Sequence, residues 1–323
     1  MRDTADSIAR SYALGTGPWA MTPVTRGALG QIWKLTGNGS SWAVKELLFG
    51  CDEAQVRREA ALRDSAAGLG IDSPRLHANR QGAHVSRLGS SGGSYVKLYD
   101  WVDGTRADAA DPGILDWFGR TMALLHQAGE GAVETPGDWY ERCPDEADWE
   151  DVLKKVRDAG LPWADELGRF VATSAPRLAR WVTPSVPDGL VTSHLDLQPQ
   201  NVLVGPDGPV LLDWDNAGPI SAEREFARAV YVWSGRNEVD IASARRLTRA
   251  YRDAGGRAVV TGPESFSMLF ATDLNYIHVQ AECAVDPAVT AAQREFAGDQ
   301  VVTCLRGLPD LAAVSLLAAA LGT

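Results

Sequence analysis

Between residues 19 and 48 apolar and polar positions alternate in short runs, Gln31-Ile-Trp-Lys-Leu and Trp42-Ala-Val-Lys-Glu-Leu, on either side of Thr36-Gly-Asn-Gly-Ser. A period of two around Asn-Gly predicts a β-hairpin, with a further strand before it. Over 52–67 the spacing changes: Val56, Ala60 and Leu62 approximate a helical stripe, so a helix is expected directly after the hairpin. Strands are predicted again at 83–88 and 94–102, closed by the turn cluster Gly89-Ser-Ser-Gly-Gly. Beyond Asp103-Gly104 the pattern becomes helical, with helices predicted over 112–128, 145–158, 162–182, 221–234, 238–255, 264–284 and 288–307. Only 190–213 interrupts them, with short apolar strands at Leu190-Val-Thr, Asn201-Val-Leu-Val and Val210-Leu-Leu-Asp. The expected architecture is α+β: a β-rich region over 1–102 with one main helix, then a larger, mostly helical region over 103–323.

Composition narrows the classes that remain. With 323 residues, 45% hydrophobic and 23% charged, the chain has the makings of a sizeable folded core. No apolar run of about 18 residues suggests a membrane span, and the N-terminal stretch lacks the apolar core of a signal peptide, so a cytoplasmic protein is expected. The net charge of -11 argues against nucleic-acid or anionic-membrane partners, both of which need a positive face, and fits a neutral or cationic ligand. The 4 cysteines and 5 histidines are dispersed without paired spacing, so neither a disulfide framework nor a zinc cluster is expected. Lysine is scarce, occurring only at Lys34, Lys45, Lys97, Lys154 and Lys155, which makes a lysine inside a strand conspicuous.

The densest chemistry lies in Ser193-His-Leu-Asp-Leu-Gln-Pro-Gln-Asn-Val-Leu-Val and the following Val210-Leu-Leu-Asp-Trp-Asp. Asn201 and Asp213 flank a predicted strand pair and supply the hard oxygen donors that Mg²⁺ takes alongside substrate phosphates. Asp196, on the loop before them, is placed to orient a hydroxyl and accept its proton. Taken singly, such residues are ordinary turn formers. Together they form the division of labour of phosphoryl transfer: one loop carboxylate as base, an Asn and a later Asp on metal.

At this point the sequence resembles the aminoglycoside phosphotransferase and choline-kinase-like family, small-molecule relatives of the protein kinases. The resemblance rests on His194-Leu-Asp-Leu-Gln-Pro-Gln-Asn201 and Leu211-Leu-Asp-Trp214. Leu195 stands where many members have Gly, and Gly218-Pro-Ile-Ser-Ala-Glu replaces the more usual Gly-Asp-Pro. The resemblance implies a bilobal protein-kinase-like fold, Asp196 as catalytic base, Asn201 and Asp213 as Mg²⁺ ligands, and His194 as a brace for the loop. Glu225 falls where the family pattern looks like Asp-Leu-Ala, and would brace the same loop.

A kinase also needs a cation on the nucleotide phosphates, held by a helix glutamate. Lys45 is the strand lysine that fits, with Glu59 as its first candidate partner and Glu53 as the second; Lys34 and Lys97 are not directly followed by a helix to carry one. Gly27-Ala-Leu-Gly30 is the candidate turn over the phosphates, and no Walker motif is present. The connector Asp100, Trp101 and Val102 is expected to receive the nucleotide base on its backbone. For the acceptor, 266–285 offers Asp273, Tyr276 and Glu282 among apolar positions, and Asp138, Asp145, Glu146 and Asp148 form a second acidic group; both also read as ordinary solvated faces. The expected activity is transfer of the γ-phosphoryl group of ATP or GTP to a hydroxyl of a small, aminoglycoside-like acceptor. Two alternatives stand beside it: a metabolic kinase for an amino alcohol, sugar or thiamine-like acceptor, and a catalytically silent nucleotide-binding relative.

Overall fold

The computed structural model describes residues 2–27, 30–88 and 94–322. The chain forms two compact units, Met1–Ala107 with Pro199–Ala217, and Asp108–Gln198 with Gly218–Thr323. This differs from the expected division at residue 102: the boundary falls after residue 107, and 199–217 is built into the first unit. The reason is strand pairing, because the segment around Leu203 and Val204 pairs with Thr105 and Arg106 at the end of the β-rich region.

In the first unit α1 (Arg2–Ser11) precedes β1 (Ala20–Arg26), β2 (Gly30–Gly37) and β3 (Ser40–Leu47), followed by α2 (Glu53–Gly68). Then come β4 (Leu76–His77), β5 (Ser86–Arg87), β6 (Tyr95–Asp100) and β7 (Thr105–Arg106). After β8 (Leu190–Ser193) in the second unit, β9 (Val202–Gly205) and β10 (Gly208–Leu211) belong again to the first. The main sheet runs β1-β2-β3-β6-β4, with β5 also on β6, and a smaller sheet runs β10-β9-β7. Side chains alternate across a strand, so β3 and β6 present Val44, Val96 and Leu98 to one face and Lys45, Lys97 and Tyr99 to the other. The first face packs against Ala5, Ile8 and Ala9 of α1, a helix absent from the sequence expectation, and against Tyr12 just beyond it. The second is covered by α2, whose start is fixed by Asp52 accepting the amides of Ala54 and Gln55. The expected strand at 83–88 is reduced to β5, and its expected turn at 89–93 lies outside the described residues.

The second unit holds α3 (Pro112–Ala128), α4 (Asp138–Glu141), α5 (Glu146–Asp158), α6 (Ala164–Ala179), β8 and β11 (Gly218–Ser221). It continues with α7 (Ala222–Trp233), α8 (Ile241–Asp253), α9 (Ser267–Val285), α10 (Ala291–Arg306) and α11 (Leu311–Leu321). α9 is apolar on most of its circumference and buried accordingly. Stacking of Phe118 on Trp233 (4.1 Å) and Phe226 on Tyr251 (4.4 Å) ties α3, α7 and α8 together. Five of the eleven tryptophans are core material: Trp149, Trp163 and Trp233 are buried here, and Trp19 and Trp214 in the first unit. The acidic group at 138–148 serves the helix ends. Asp145 and Asp148 form a reciprocal cap on α5, and Asp138 pairs with Arg142. Among the described residues no single helix is long and apolar enough to cross a membrane.

β8 is antiparallel to β11 and is bridged on its other side by residue 130. The Thr192 amide donates to the Gly129 carbonyl at 2.8 Å, and a β-carbon on Gly129 would lie 1.7 Å from the Thr192 carbonyl oxygen. Gly129→Ala must therefore push β8 away from the end of α3. A loss of about 3 kcal/mol or more is expected in the denaturant-unfolding free energy.

Candidate active site

Lys45 and Lys97 are direct cross-strand partners in the β3–β6 register. Two ammonium groups on one face, about 5 Å apart at their β-carbons, repel unless carboxylates separate them. Asp215 does so: its Oδ2 lies 2.7 Å from Lys45 Nζ and its Oδ1 2.5 Å from Lys97 Nζ. Lys45 Nζ also donates to Asp213 Oδ1 at 2.5 Å. Lys97 Nζ also donates to Glu59 Oε2 at 2.6 Å, while the Tyr99 hydroxyl donates to Glu59 Oε1 at 3.0 Å. Arg63, one turn along α2, stands 3.8 Å from Glu59. The expected Lys45–Glu59 pair is thus replaced. Glu59 binds Lys97, and Lys45 binds the two aspartates that follow β10.

The charges explain how this survives burial. Desolvation would lower the Lys45 ammonium pKa, but Asp215 and Asp213 outweigh it and raise it above the ordinary lysine value. Burial would raise the Asp215 carboxyl, yet Lys45 and Lys97 hold it well below the usual carboxylate range. Burial drives the Tyr99 phenol well above its normal value, with Glu59 and Asp215 adding to the effect, so it stays a hydrogen-bond donor.

The turn after β10 is delivered by backbone pairing. Leu211 faces Val202, and the Leu212 amide donates to the Asn201 carbonyl at 2.8 Å, which brings Asn201 and Asp213 to the same end of the hairpin. Asp213 has φ 59°, a left-handed conformation that Asp tolerates better than most residues. Gln55 of α2 grips the segment beyond, donating to the carbonyls of Asp215 (2.7 Å) and Ala217 (2.8 Å). The Asn201 amide and the part-exposed Asp213 carboxylate are hard oxygen donors and fit Mg²⁺ rather than a thiophilic metal. Gly27 and Gly30 close on each other through the Gly27 amide and Gly30 carbonyl (2.9 Å), while residues 28 and 29 lie outside the described residues. A β-carbon on Gly30 would meet the Lys45 stem at 3.1 Å.

Asp100 belongs to the sheet rather than to a connector. Its amide donates to the Arg75 carbonyl (3.1 Å) and its carboxylate lies 2.6 Å from His77 Nε2. Trp101 donates to Asp103 at 2.7 Å and carries Lys34 over its ring, and Val102 lies two residues beyond the end of β6.

In the second unit the loop after β8 is held from below. His194 is fully buried and its Nδ1 faces the Asp196 amide at 3.3 Å. Leu195 has φ 65°, a strained region for a branched residue and one that glycine enters freely. Its side chain is nonetheless buried beside Val191, Ile220 and Met268. Glu225 accepts the Leu195 amide at 2.7 Å and contacts His126 Nε2 at 3.0 Å, while His126 Nδ1 contacts the Tyr251 hydroxyl at 2.8 Å. Burial opposes the Glu225 charge, but His126 and the Leu195 amide keep its carboxyl below the ordinary glutamate value. Asp196 lies 3.3 Å from Arg228. On α9, Asp273 pairs with Arg236 at 3.4 Å and Tyr276 donates to Gln300 at 3.2 Å. Glu282 lies nine residues beyond Asp273, on the opposite side of the helix at 3.6 residues per turn, exposed and 3.7 Å from His278. The three acceptor candidates therefore do not converge.

Lys97, Asp215, Tyr99 and Arg228 were not assigned from sequence. Lys97 could have been found only from strand register, whereas Asp215 stood two residues past Asp213, next to the motif, with nothing in the spacing to mark the lysines as its partners. Arg228, at i+3 from Glu225 on a helix, had the spacing of a neighbour but nothing to mark its partner.

A model of the phosphotransferase enzyme family matches residues 20–262. The chain belongs to that family, and it is a small-molecule kinase of the kind the family comprises. No curated protein gives a significant match. Among solved structures it is similar to spectinomycin phosphotransferase APH(9)-Ia in complex with ADP and spectinomycin, at 14% identity and TM-score 0.66, over 98% of this chain and 96% of that one. It is also similar to amicoumacin kinase hAmiN in complex with AMP-PNP, Ca²⁺ and Ami, at 14% identity and TM-score 0.61, covering 94% of this chain and 92% of that one. A choline/ethanolamine kinase family protein from Mesorhizobium loti aligns at 18% identity and TM-score 0.53, covering 98% of each. These likenesses establish the protein-kinase-like fold.

The depressed Glu225 carboxyl makes a pH-dependent contribution. The unfolded chain binds more protons on this group than the folded one, so its stabilisation is complete above the unfolded glutamate pKa of about 4.3 and fades as pH falls through the lower folded value. Glu225→Gln is expected to lower the melting temperature at pH 7, and the gap to wild type should narrow below about pH 4.3. A gap independent of pH would remove the charge from the argument.

Proposed function

We infer that the protein transfers the γ-phosphoryl group of ATP or GTP to a hydroxyl of a small acceptor, using Mg²⁺. The observation that carries this reading is the meeting of a strand lysine with the first aspartate after the β9–β10 hairpin, Lys45 on Asp213 at 2.5 Å, in a chain of this family. Asp196 takes the proton of the acceptor hydroxyl on its carboxylate as the hydroxyl oxygen attacks the γ-phosphorus and the bridging P–O bond to the leaving nucleoside diphosphate breaks. Lys45 offsets charge on the phosphates. Asn201 and Asp213 would hold Mg²⁺, which when bound neutralises phosphate charge and orients the β- and γ-oxygens. Glu225, through the Leu195 amide, and His194, beneath the Asp196 amide, hold the loop so that the base is fixed before substrate arrives. The β-rich residues 1–102 then act as the nucleotide lobe and 103–323 as the acceptor lobe, amended by 199–217, which carry the metal ligands. Trp101 and Val102 are left as the connector for the base.

The acceptor class is sharpened by the charges near the base. Asp196 faces Arg228 and Asp273 faces Arg236, so the acids are matched one for one and the overall acidity of the chain is not concentrated there. This favours a neutral or singly charged hydroxyl compound, such as an amino alcohol or sugar, over a polycationic aminoglycoside. Solved relatives described as aminopropanol kinase and choline/ethanolamine kinase family protein support that direction.

Asp196→Asn is expected to reduce nucleotide-dependent phosphorylation by about 10³-fold or more while leaving nucleotide binding within a few-fold, since it removes a base rather than a phosphate contact. An acceptor panel read by nucleoside diphosphate release supplies the assay. Full turnover by Asp196→Asn refutes the mechanism, and turnover confined to aminoglycosides refutes the acceptor assignment.

A further inference from the structure

In protein kinases the phosphate-binding lysine is held by a glutamate on the neighbouring helix. Here that glutamate is engaged elsewhere. Glu59 gives one oxygen to Lys97 and the other to the Tyr99 hydroxyl. Resting on the kinase reading above, the geometry points to Asp215 as the positioning residue for Lys45. Lys97 is the cation that lets Asp215 and Glu59 occupy one buried site together.

Three observations lead there. The Asp215 carboxylate is two-sided, with Oδ1 on Lys97 and Oδ2 on Lys45, so the first lysine fixes the plane in which the second is held. Asp213 also contacts Lys45, but the kinase reading gives Asp213 to Mg²⁺, so its carboxylate would be shared with the metal. Among the described residues Asp215 is then the carboxylate given to lysine alone. Finally, the backbone of 215 is pinned by Gln55, one helical turn before Glu59. The helix α2 therefore still positions the phosphate lysine, but through the grip of Gln55 on the 215–217 segment and not through a Glu59 contact.

The two schemes differ in which acid nucleotide binding depends on. Binding of a fluorescent ATP analogue to the full chain with Mg²⁺ and without acceptor, with melting curves alongside, separates them. Asp215→Asn is expected to weaken binding about tenfold or more, equivalent to roughly 1.4 kcal/mol or more. Asp215→Glu, which keeps the charge, should recover part of the loss, whereas a purely packing role for residue 215 gives no recovery. Glu59→Gln should lower the melting temperature yet weaken binding only about two- to threefold, or under 1 kcal/mol. Equal or larger loss of binding in Glu59→Gln overturns the assignment. If Asp215→Asn does not fold, Glu59→Gln decides alone, a tenfold loss overturning the proposal and a small one supporting it. Absence of nucleotide binding by the wild type would overturn the kinase reading and this proposal together, while intact wild-type binding confines any failure to the partner of Lys45.

Discussion

Two ammonium groups placed side by side in an antiparallel sheet dictate much of what surrounds them. Lys45 and Lys97 cannot share one face without carboxylates, and those carboxylates come from distant parts of the chain: Glu59 from α2, Asp213 and Asp215 from the turn after β10. The network of Lys45, Lys97 and Arg63 with Glu59, Asp213 and Asp215 is balanced in formal charge. Such balance is a condition of burial, because removing one partner from a buried pair costs about 3–5 kcal/mol and strands the other. This electrostatic closure adds to the strand pairing that builds 199–217 into the β-rich unit. Strand pairing of β9 with β7 and the hydrogen bonds from Gln55 complete the attachment.

The second unit meets a different demand, that of holding one loop in a backbone conformation it would not adopt alone. Leu195 pays for its left-handed backbone with a buried side chain and with an amide bonded to a carboxylate. That carboxylate is in turn oriented by His126, which is oriented by Tyr251. A chain of three side chains from α7, α3 and α8 thus converges on the residue immediately before Asp196. Local strain persists where surrounding packing over-determines it.

Much of this was legible in the sequence, and the boundary of legibility has a physical meaning. The β2–β3 hairpin, α2 and α3 carry their signals locally, in Asn38-Gly39, in the Asp52 cap and in Asp111-Pro112, so their prediction needed no partner. His194, Asp196, Asn201 and Asp213 were visible because their spacing along the chain is itself the signal. α1 escaped because its apolar face matters only against the back of a sheet, and α11, Leu-Ala-Ala-Val-Ser-Leu-Leu-Ala-Ala-Ala-Leu, is apolar almost throughout and shows little periodicity. The pairing of Glu59 failed for a subtler reason. Helix and strand were both placed, but which lysine faced the helix depended on register between β3 and β6, segments about fifty residues apart. Glu282 failed through helical phase, nine residues turning it to the far side of α9.

The scarcity of lysine can now be stated as a matter of shape. The chain meets most of its need for positive charge with arginine, yet keeps lysine at the two facing positions where both cations must reach a single carboxylate. A guanidinium is a broad planar fork, whereas an ammonium is a compact point charge, and only the latter allows two cations to approach opposite oxygens of one aspartate across adjacent strands. Covalent chemistry inherits this arrangement. Amine-directed reagents find exposed side chains at Lys154 and Lys155 and a partly exposed one at Lys34, while the amines of Lys45 and Lys97 are buried and covered by acids. Surface attachment of the protein through lysine therefore falls on α5 and β2 and spares the buried pair.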